Sequence, residues 1–316
     1  MSADWYLSGL EDDMRPRMFE CAAIDTPFAL ATITAARGGP RPVGAQLLVT
    51  DTHMFGYLSG GCIEADVALH GRAVLTERRP RALVYGEGSP FIDMRLPCGG
   101  RLDIFVEPVL PNDPALAKLS GYAAVRAAAI WRSDGVRRAC VAVNELGRAD
   151  TSFRHWPVER RFDPRQRLIV IGSDAYALAI AACGRQLDWD VTLASPLGFE
   201  TAPPIGVGYT RAAIATVFEA APPDKHTAVA ITTHDDDLDH DALSAALRSH
   251  AGYIGILGAQ RRLPSRLARL EMAGFAPSSL ERLHAPIGMN LGARSPREVA
   301  IAVIAEVISE ANRGSA

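Results

Sequence analysis

From Arg167 onward, short apolar runs alternate with segments of helical period, and this alternation restricts the second half of the chain to a layered α/β sheet. The runs at 167–171 (RLIVI), 190–193, 228–232 and 253–257 are strand-like, and each is followed by helical sequence. Runs this uniformly apolar belong to strands covered on both faces, so the sheet is parallel and doubly wound. The last helix opens with Ser295-Pro-Arg-Glu298, a capping-box sequence with proline at the first helical position.

A fold of this kind announces a dinucleotide site through G-x-G-x-x-G/A at its first strand–helix turn. Here the turn reads Gly172-Ser-Asp-Ala-Tyr-Ala177. The first glycine and the small last residue are kept, but Asp174 replaces the middle glycine. Its bulk and charge stand where pyrophosphate would lie. The ribose-binding acid expected about twenty residues on is also missing, since the second strand runs into Ala194-Ser195. Ordinary nicotinamide binding is therefore disfavoured. An architectural turn, or a nucleotide-like ligand held elsewhere on the rim, explains the residues better.

Two other strand ends carry polar residues. Thr233-His-Asp-Asp-Asp-Leu-Asp-His-Asp241 alternates aspartates like a calcium loop, but His240 and Ala246 stand where an EF-hand has glycine and glutamate. The acids read better as partners of a helix N-terminus, with His234 as a candidate functional side chain. Gly258-Ala-Gln-Arg-Arg262 joins a glycine turn to two arginines, a combination suited to an anion. Arg266 and Arg269 are expected to continue a solvated basic face.

The first half patterns as α+β. Tyr6, Leu10, Met14, Met18, Cys21 and Ala22 predict an N-terminal helix. Strands follow at 28–34 and 45–50, then a hairpin running into Ser59-Gly-Gly-Cys62, a helix over 63–77 and strands at 82–85 and 101–107. Prolines over 108–114 are expected to end that sheet. A helix at 115–120 precedes a hairpin turning at Ser133-Asp-Gly135. Residues 151–166 show no clear period, which places the boundary between a domain of 1–160 and one of 161–316.

Net charge is −3, so no long-range pull toward nucleic acid or an anionic membrane is expected. No apolar run approaches the roughly 18 residues that span a bilayer, and the first residues are too polar for a signal peptide. The five cysteines (Cys21, Cys62, Cys98, Cys140, Cys183) are dispersed without C-x-x-C spacing, consistent with reduced thiols in a cytoplasm. Cys62 and Cys98 differ from the others in being flanked by glycine pairs. Unpaired amides at such turns bind anions and favour thiolate, and soft thiolates suit sulfur transfer or a molybdenum–dithiolene group.

These residues together resemble the xanthine dehydrogenase accessory (XdhC/CoxI) family. The resemblance is carried by Arg37-Gly-Gly-Pro-Arg-Pro-Val-Gly-Ala-Gln-Leu-Leu-Val49, Gly56-Tyr-Leu-Ser-Gly-Gly-Cys-Ile-Glu64 and Cys98-Gly-Gly100 in the first half. In the second it is carried by Thr233-His-Asp235, Tyr253-Ile-Gly-Ile-Leu-Gly258 and His284-Ala-Pro-Ile-Gly288. The departures are the turn at Gly172 and the Ala194-Ser-Pro196 segment, where the family has a G-x-G-H-like turn and an aspartate–arginine pair.

The resemblance implies a molybdenum-cofactor chaperone rather than a turnover enzyme. Such a protein holds molybdopterin or its nucleotide form, supports its sulfuration with a cysteine desulfurase, and inserts it into a molybdenum hydroxylase of the xanthine dehydrogenase/aldehyde oxidase type. It implies cofactor contacts at Arg41, Ser59, Gly60, Gly61, Cys62, Glu64, Cys98, Gly99, His234, Gly258 and Arg261, with Cys62 or Cys98 near molybdenum. It also makes a homodimer the expected assembly. The competing readings are an NAD(P)-dependent oxidoreductase using the second domain, and a protein-interaction factor that docks to the hydroxylase without touching cofactor.

Overall fold

A computed structural model describes residues 11–39, 41–89, 99–145, 156–258 and 260–313. The chain divides into two compact units, Met1–Pro164 and Arg165–Ala316. Of the expected N-terminal helix, positions 6 and 10 lie outside the described residues. The described part, α1, spans Arg15–Ala23.

The first unit is built on an antiparallel sheet. Its strands are β1 (Phe28–Arg37), β2 (Gln46–Val49), β3 (Met54–Gly56), β4 (Arg81–Gly86) and β5 (Arg101–Val109), in the order β3-β2-β1-β5-β4. Side chains alternate across it with period two. Ala29, Ala31, Ile33, Leu47 and Val49 pack under α2 (Glu64–Glu77) through Ile63, Val67 and Val74. Phe28, Leu30 and Leu48 point the other way, against α1 and α3 (Pro114–Ala124). That second core is completed by a small sheet of β6 (Ala129–Ser133), β7 (Arg138–Ala142) and β8 (Val158–Phe162), in the order β7-β6-β8.

Two expectations are corrected. Pro108 does not end the sheet; β5 continues through it to Val109. The residue lies past Val106, the last that β4 pairs, so its missing N–H leaves no ladder bond unmade on that side. The supposedly aperiodic 151–166 stretch contains β8, where buried Val158 and Phe162 flank Arg160. Its central inward position is an arginine, which hides the alternation.

The second unit holds the parallel sheet. Its strands are β9 (Arg167–Ile171), β10 (Asp190–Ala194), β11 (Gly208–Thr210), β12 (Thr227–Ile231), β13 (Tyr253–Ile256) and β14 (Leu283–His284), ordered β11-β10-β9-β12-β13-β14. This is the Rossmann order, with the switch point between β9 and β12. Leu168, Val170, Ala228 and Ala230 pack under α4 (Ala175–Gln186) and α9 (Pro296–Asn312). Ile169, Ile171, Val229 and Ile231 face α5 (Ile214–Ala220), α6 (Asp236–Arg248) and α7 (Leu263–Met272). The capping box forms as read, with Glu298 N–H donating to Ser295 Oγ at 3.3 Å and Ser295 N–H to Glu298 Oε2 at 2.9 Å.

Candidate functional site

The register of the first sheet gathers three loops at one end. β1 finishes at Arg37 opposite Arg101, where β5 begins, and β4 finishes at Gly86 opposite the same residue. β2 begins at Gln46 opposite Thr32, and β3 finishes at Gly56 opposite Leu47. The loops carrying Arg41, Ser59–Cys62 and Gly99 therefore leave the sheet from the same end. Cys98 lies outside the described residues.

The loop from Leu58 to Ile63 is wrapped around one carboxylate. Glu64 Oε1 accepts from the backbone N–H of Leu58 (2.9 Å), Ser59 (2.6 Å) and Gly60 (3.0 Å). Its Oε2 accepts from Gly61 N–H (2.8 Å), Ile63 N–H (3.1 Å) and the Ser59 hydroxyl (2.8 Å). Ser59 Oγ in turn accepts from Cys62 and Ile63 N–H at 3.1 and 3.2 Å. Convergence of so many amides needs φ of +89° at Gly60 and +114° at Gly61, where L side chains are strained. Glu64 is 3% exposed. Burial would raise its carboxyl, but the amides of Ser59 and Leu58 and the Ser59 hydroxyl outweigh it and hold the group below the usual carboxylate range.

This corrects the expectation that the glycine amides are unpaired and available to an anion. The chain supplies the anion itself, and Glu64 is the support of the loop rather than a surface contact. What the loop presents outward is Cys62, whose thiol is exposed. No neighbouring atom would lie within 4 Å of a Cβ placed on Gly60 or Gly61, so the tip borders open space. By contrast Cys21 and Cys140 are buried, and burial pushes the Cys140 thiol up to about 11.

Arg41 stands beside this loop. Its guanidinium stacks on Tyr57 with 4.2 Å to the ring centroid, donates to the Tyr57 hydroxyl at 2.9 Å, and pairs with Asp12 at 2.6 Å. Tyr57 directly precedes the Glu64-bound segment, so Arg41 and Cys62 belong to one assembly. Asp12 escaped sequence reasoning because nothing local links it to the glycine loop, and Tyr57 stood within the Gly56–Glu64 motif without a role of its own.

In the second unit the Rossmann turn is likewise filled from within. Asp174 caps α4, its Oδ1 accepting from Ala177 N–H at 2.8 Å and lying 3.4 Å from the Thr232 hydroxyl. Its Oδ2 lies 3.1 Å from His234 Nε2. A Cβ on Gly172 would come within 2.3 Å of Thr232 Oγ1, so that glycine serves close packing of β9 against β12. An aspartate at the start of an alanine-rich helix is a capping signal, and the sequence does carry it.

The acids of α6 behave as read: Asp235 accepts from the N–H of Asp237 (3.0 Å) and Leu238 (2.9 Å). The basic face of α7 does so only in part. Arg262 pairs with Asp236, Arg269 with Asp237 at 2.7 Å, and Arg266 with Asp239. All three reach the first turn of α6, which concentrates negative charge opposite them, but only Arg266 is drawn out of water; the Arg269 side chain stays 45% exposed, as expected of a solvated face. Asp239 is 1% exposed, and burial raises its carboxyl despite Thr233 and Arg266. The Arg266 guanidinium also lies against Gly258, where a Cβ would sit 2.5 Å from Nη1. Arg261 is exposed on the same turn and joins no carboxylate among the described residues. No cluster of three or more metal-ligating side chains occurs among the described residues, and none of their helices is long and apolar enough to cross a membrane.

The predicted residues thus fall into two groups. Arg41, Ser59, Gly60, Gly61, Cys62, Glu64 and Gly99 lie at one end of the sheet of the first unit, and His234, Gly258 and Arg261 share the carboxyl rim of the second.

Residues 168–307 match the family described as the XdhC Rossmann domain, and residues 21–86 that described as the XdhC and CoxI family. An Escherichia coli (strain K12) protein named molybdenum cofactor insertion chaperone PaoD is 30% identical over 282 residues, covering 89% of this chain and 82% of that protein. A second E. coli protein, YqeB, is 26% identical over 295 residues; the match takes 90% of this chain but only 44% of YqeB. A crystal structure described as a xanthine dehydrogenase from Bacillus halodurans has the same fold, with a TM-score of 0.73, 22% identity, and coverage of 94% and 95%.

Proposed function

The chain belongs to the XdhC and CoxI family, and from that premise we propose that it is a maturation factor that holds a molybdenum cofactor and delivers it to a molybdenum hydroxylase. The observation that carries this reading is the loop end of the first sheet. An exposed thiol, Cys62, stands on a loop already folded around Glu64, with a stacked guanidinium, Arg41, beside it. A thiolate is a soft donor suited to molybdenum, and a guanidinium fork suits phosphate. The residues present therefore fit a cofactor that joins a metal–dithiolene head to a phosphorylated tail. When bound, that cofactor would supply the redox metal its client needs. The chain's own part is to bind and orient it: Cys62 toward the metal end, Arg41 toward the anionic end, and Ser59, Gly60, Gly61 and Glu64 as the frame between them.

In the same reading Gly99 and Cys98 are further cofactor contacts of the first unit, and His234, Gly258 and Arg261 are contacts on the Rossmann rim. A cysteine desulfurase would be the source of sulfur while the cofactor is held, and a hydroxylase of the xanthine dehydrogenase/aldehyde oxidase type would be the client. We take the protein to work in the cytoplasm as a homodimer. Ile301 and Ile308, one heptad apart and 57% and 40% exposed on α9, support self-association there.

The oxidoreductase alternative loses its footing at Asp174, which fills the position nicotinamide pyrophosphate needs. Purification followed by extraction and identification of bound pterin, with a titration of added cofactor, tests the proposal. Binding at micromolar concentration is expected, with sulfido-enzyme yield reduced in Cys62→Ser. No pterin binding alongside clear NAD(P) binding would overturn it.

A further inference from the structure

Behind Arg41 lies an arginine cluster with more positive than negative charge. Arg15 and Arg160 both stack on Phe162, at 5.3 and 4.5 Å from its centroid. Arg15 is closed off by Asp13, which it meets at 2.8 Å. Arg160 uses one nitrogen on the carbonyl of Gly44, at 2.6 Å, in the same loop that carries Arg41. Burial pulls Arg160 down to about 10, and the nearby charges of Arg15 and Arg41 push the same way while Asp13 and Asp12 oppose them. Arg41 has a buried Nε without a partner among the described residues. Its only carboxylate there, Asp12, is 68% exposed on the segment ahead of α1, whereas the Arg41 side chain is 17% exposed. A recessed guanidinium thus meets an outlying acid that is held by little else.

We propose that Arg41 and Arg160 form a subsite for a phosphoryl or pyrophosphoryl group, and that Asp12 occupies Arg41 until such a group displaces it. The chemistry follows from the geometry. Tyr57 fixes the Arg41 fork, so a phosphate oxygen can replace the Asp12 carboxylate without reorganising the guanidinium. The second phosphoryl of a pyrophosphate would reach the excess charge at Arg160. Because the subsite joins the Cys62 loop through Tyr57, it names the group by which the cofactor of the preceding proposal is gripped. In that sense it rests on that reading, but its probe does not contain a pterin.

Calorimetric titration of the full chain with inorganic pyrophosphate, and separately with phosphate, reads the subsite. Asp12→Asn removes the internal competitor and should tighten pyrophosphate binding about five-fold. Arg41→Gln should weaken it at least about ten-fold, and Arg41→Lys, which keeps the charge but loses the fork, should fall between. Circular dichroism checks that each variant is folded. Unchanged or weaker binding in Asp12→Asn overturns the proposal, as does undiminished binding in folded Arg41→Gln or no binding in any form. Equal affinity for phosphate and pyrophosphate removes Arg160 and overturns the two-arginine subsite. Pyrophosphate binding without pterin binding would instead leave the subsite standing and defeat the cofactor reading.

Discussion

With six donors converging on it, the Glu64 carboxylate is an anion that its loop carries permanently. Replacing it with alanine strands those donors, and stability should fall by at least about 2 kcal/mol in a denaturant titration. The pH dependence has a definite sign. A carboxyl depressed in the folded state contributes stability above its unfolded value of about 4.3, and that contribution is lost as pH falls through the lower folded value. Wild type should therefore lose stability below about pH 4 more steeply than Glu64→Gln; parallel curves would count against this account. The sequence did mark Glu64, but as a cofactor contact. Its actual role depends on the side chain turning back over the preceding loop, and residue spacing does not encode that direction. Cys62 was legible because paired glycines beside a thiol are a local signal. Arg41 was legible only through resemblance, since its partners Asp12 and Tyr57 lie far from it in sequence.

Between elements, the link with most at stake is that of α6 to α7. Arg266 is 11% exposed in its side chain and Asp239 1%, so the pair is out of water. Asp239 also accepts from the Thr233 hydroxyl at 2.6 Å, which ties the pair to the loop that holds His234. Removing one partner leaves a buried charge, so Arg266→Ala should cost about 3 kcal/mol, more than Arg262→Ala at the exposed neighbouring pair. Equal losses in the two variants, measured by denaturant unfolding, would contradict this. At this scale the alternation of apolar strand and helix was readable from the chain, as was the Ser295 capping box. What escaped were short edge strands. β11 and β14 have three and two residues, too few to show a period. The arginine pairing of α7 was hidden too, because a basic helix face looks the same whether it meets water or the acidic turn of another helix.

At the scale of the whole molecule, the fold class followed from patterning, whereas the use of the second unit depends on one side chain within it. The strand order β11-β10-β9-β12-β13-β14 would by itself suggest a dinucleotide site. Asp174 argues otherwise. A ligand held with a Kd of about 10 µM would, at about 1 mM, stabilise the protein by about 2.7 kcal/mol and raise its melting temperature by several degrees. We expect NADH and NADPH to shift it by less than about 1 °C, and a shift of several degrees in thermal unfolding would refute this. The sequence showed the aspartate as damage to a fingerprint; the structure shows it as a cap on α4, bonded to Ala177 N–H. A tethered carboxylate does not dilute. A diffusing dinucleotide competes with an occupant that is always present, so raising its concentration gains little. The Rossmann unit is thereby expected to be insulated from the commonest ligands of its own fold, and in the proposed role a carrier of scarce cargo would not be titrated away by abundant cofactors.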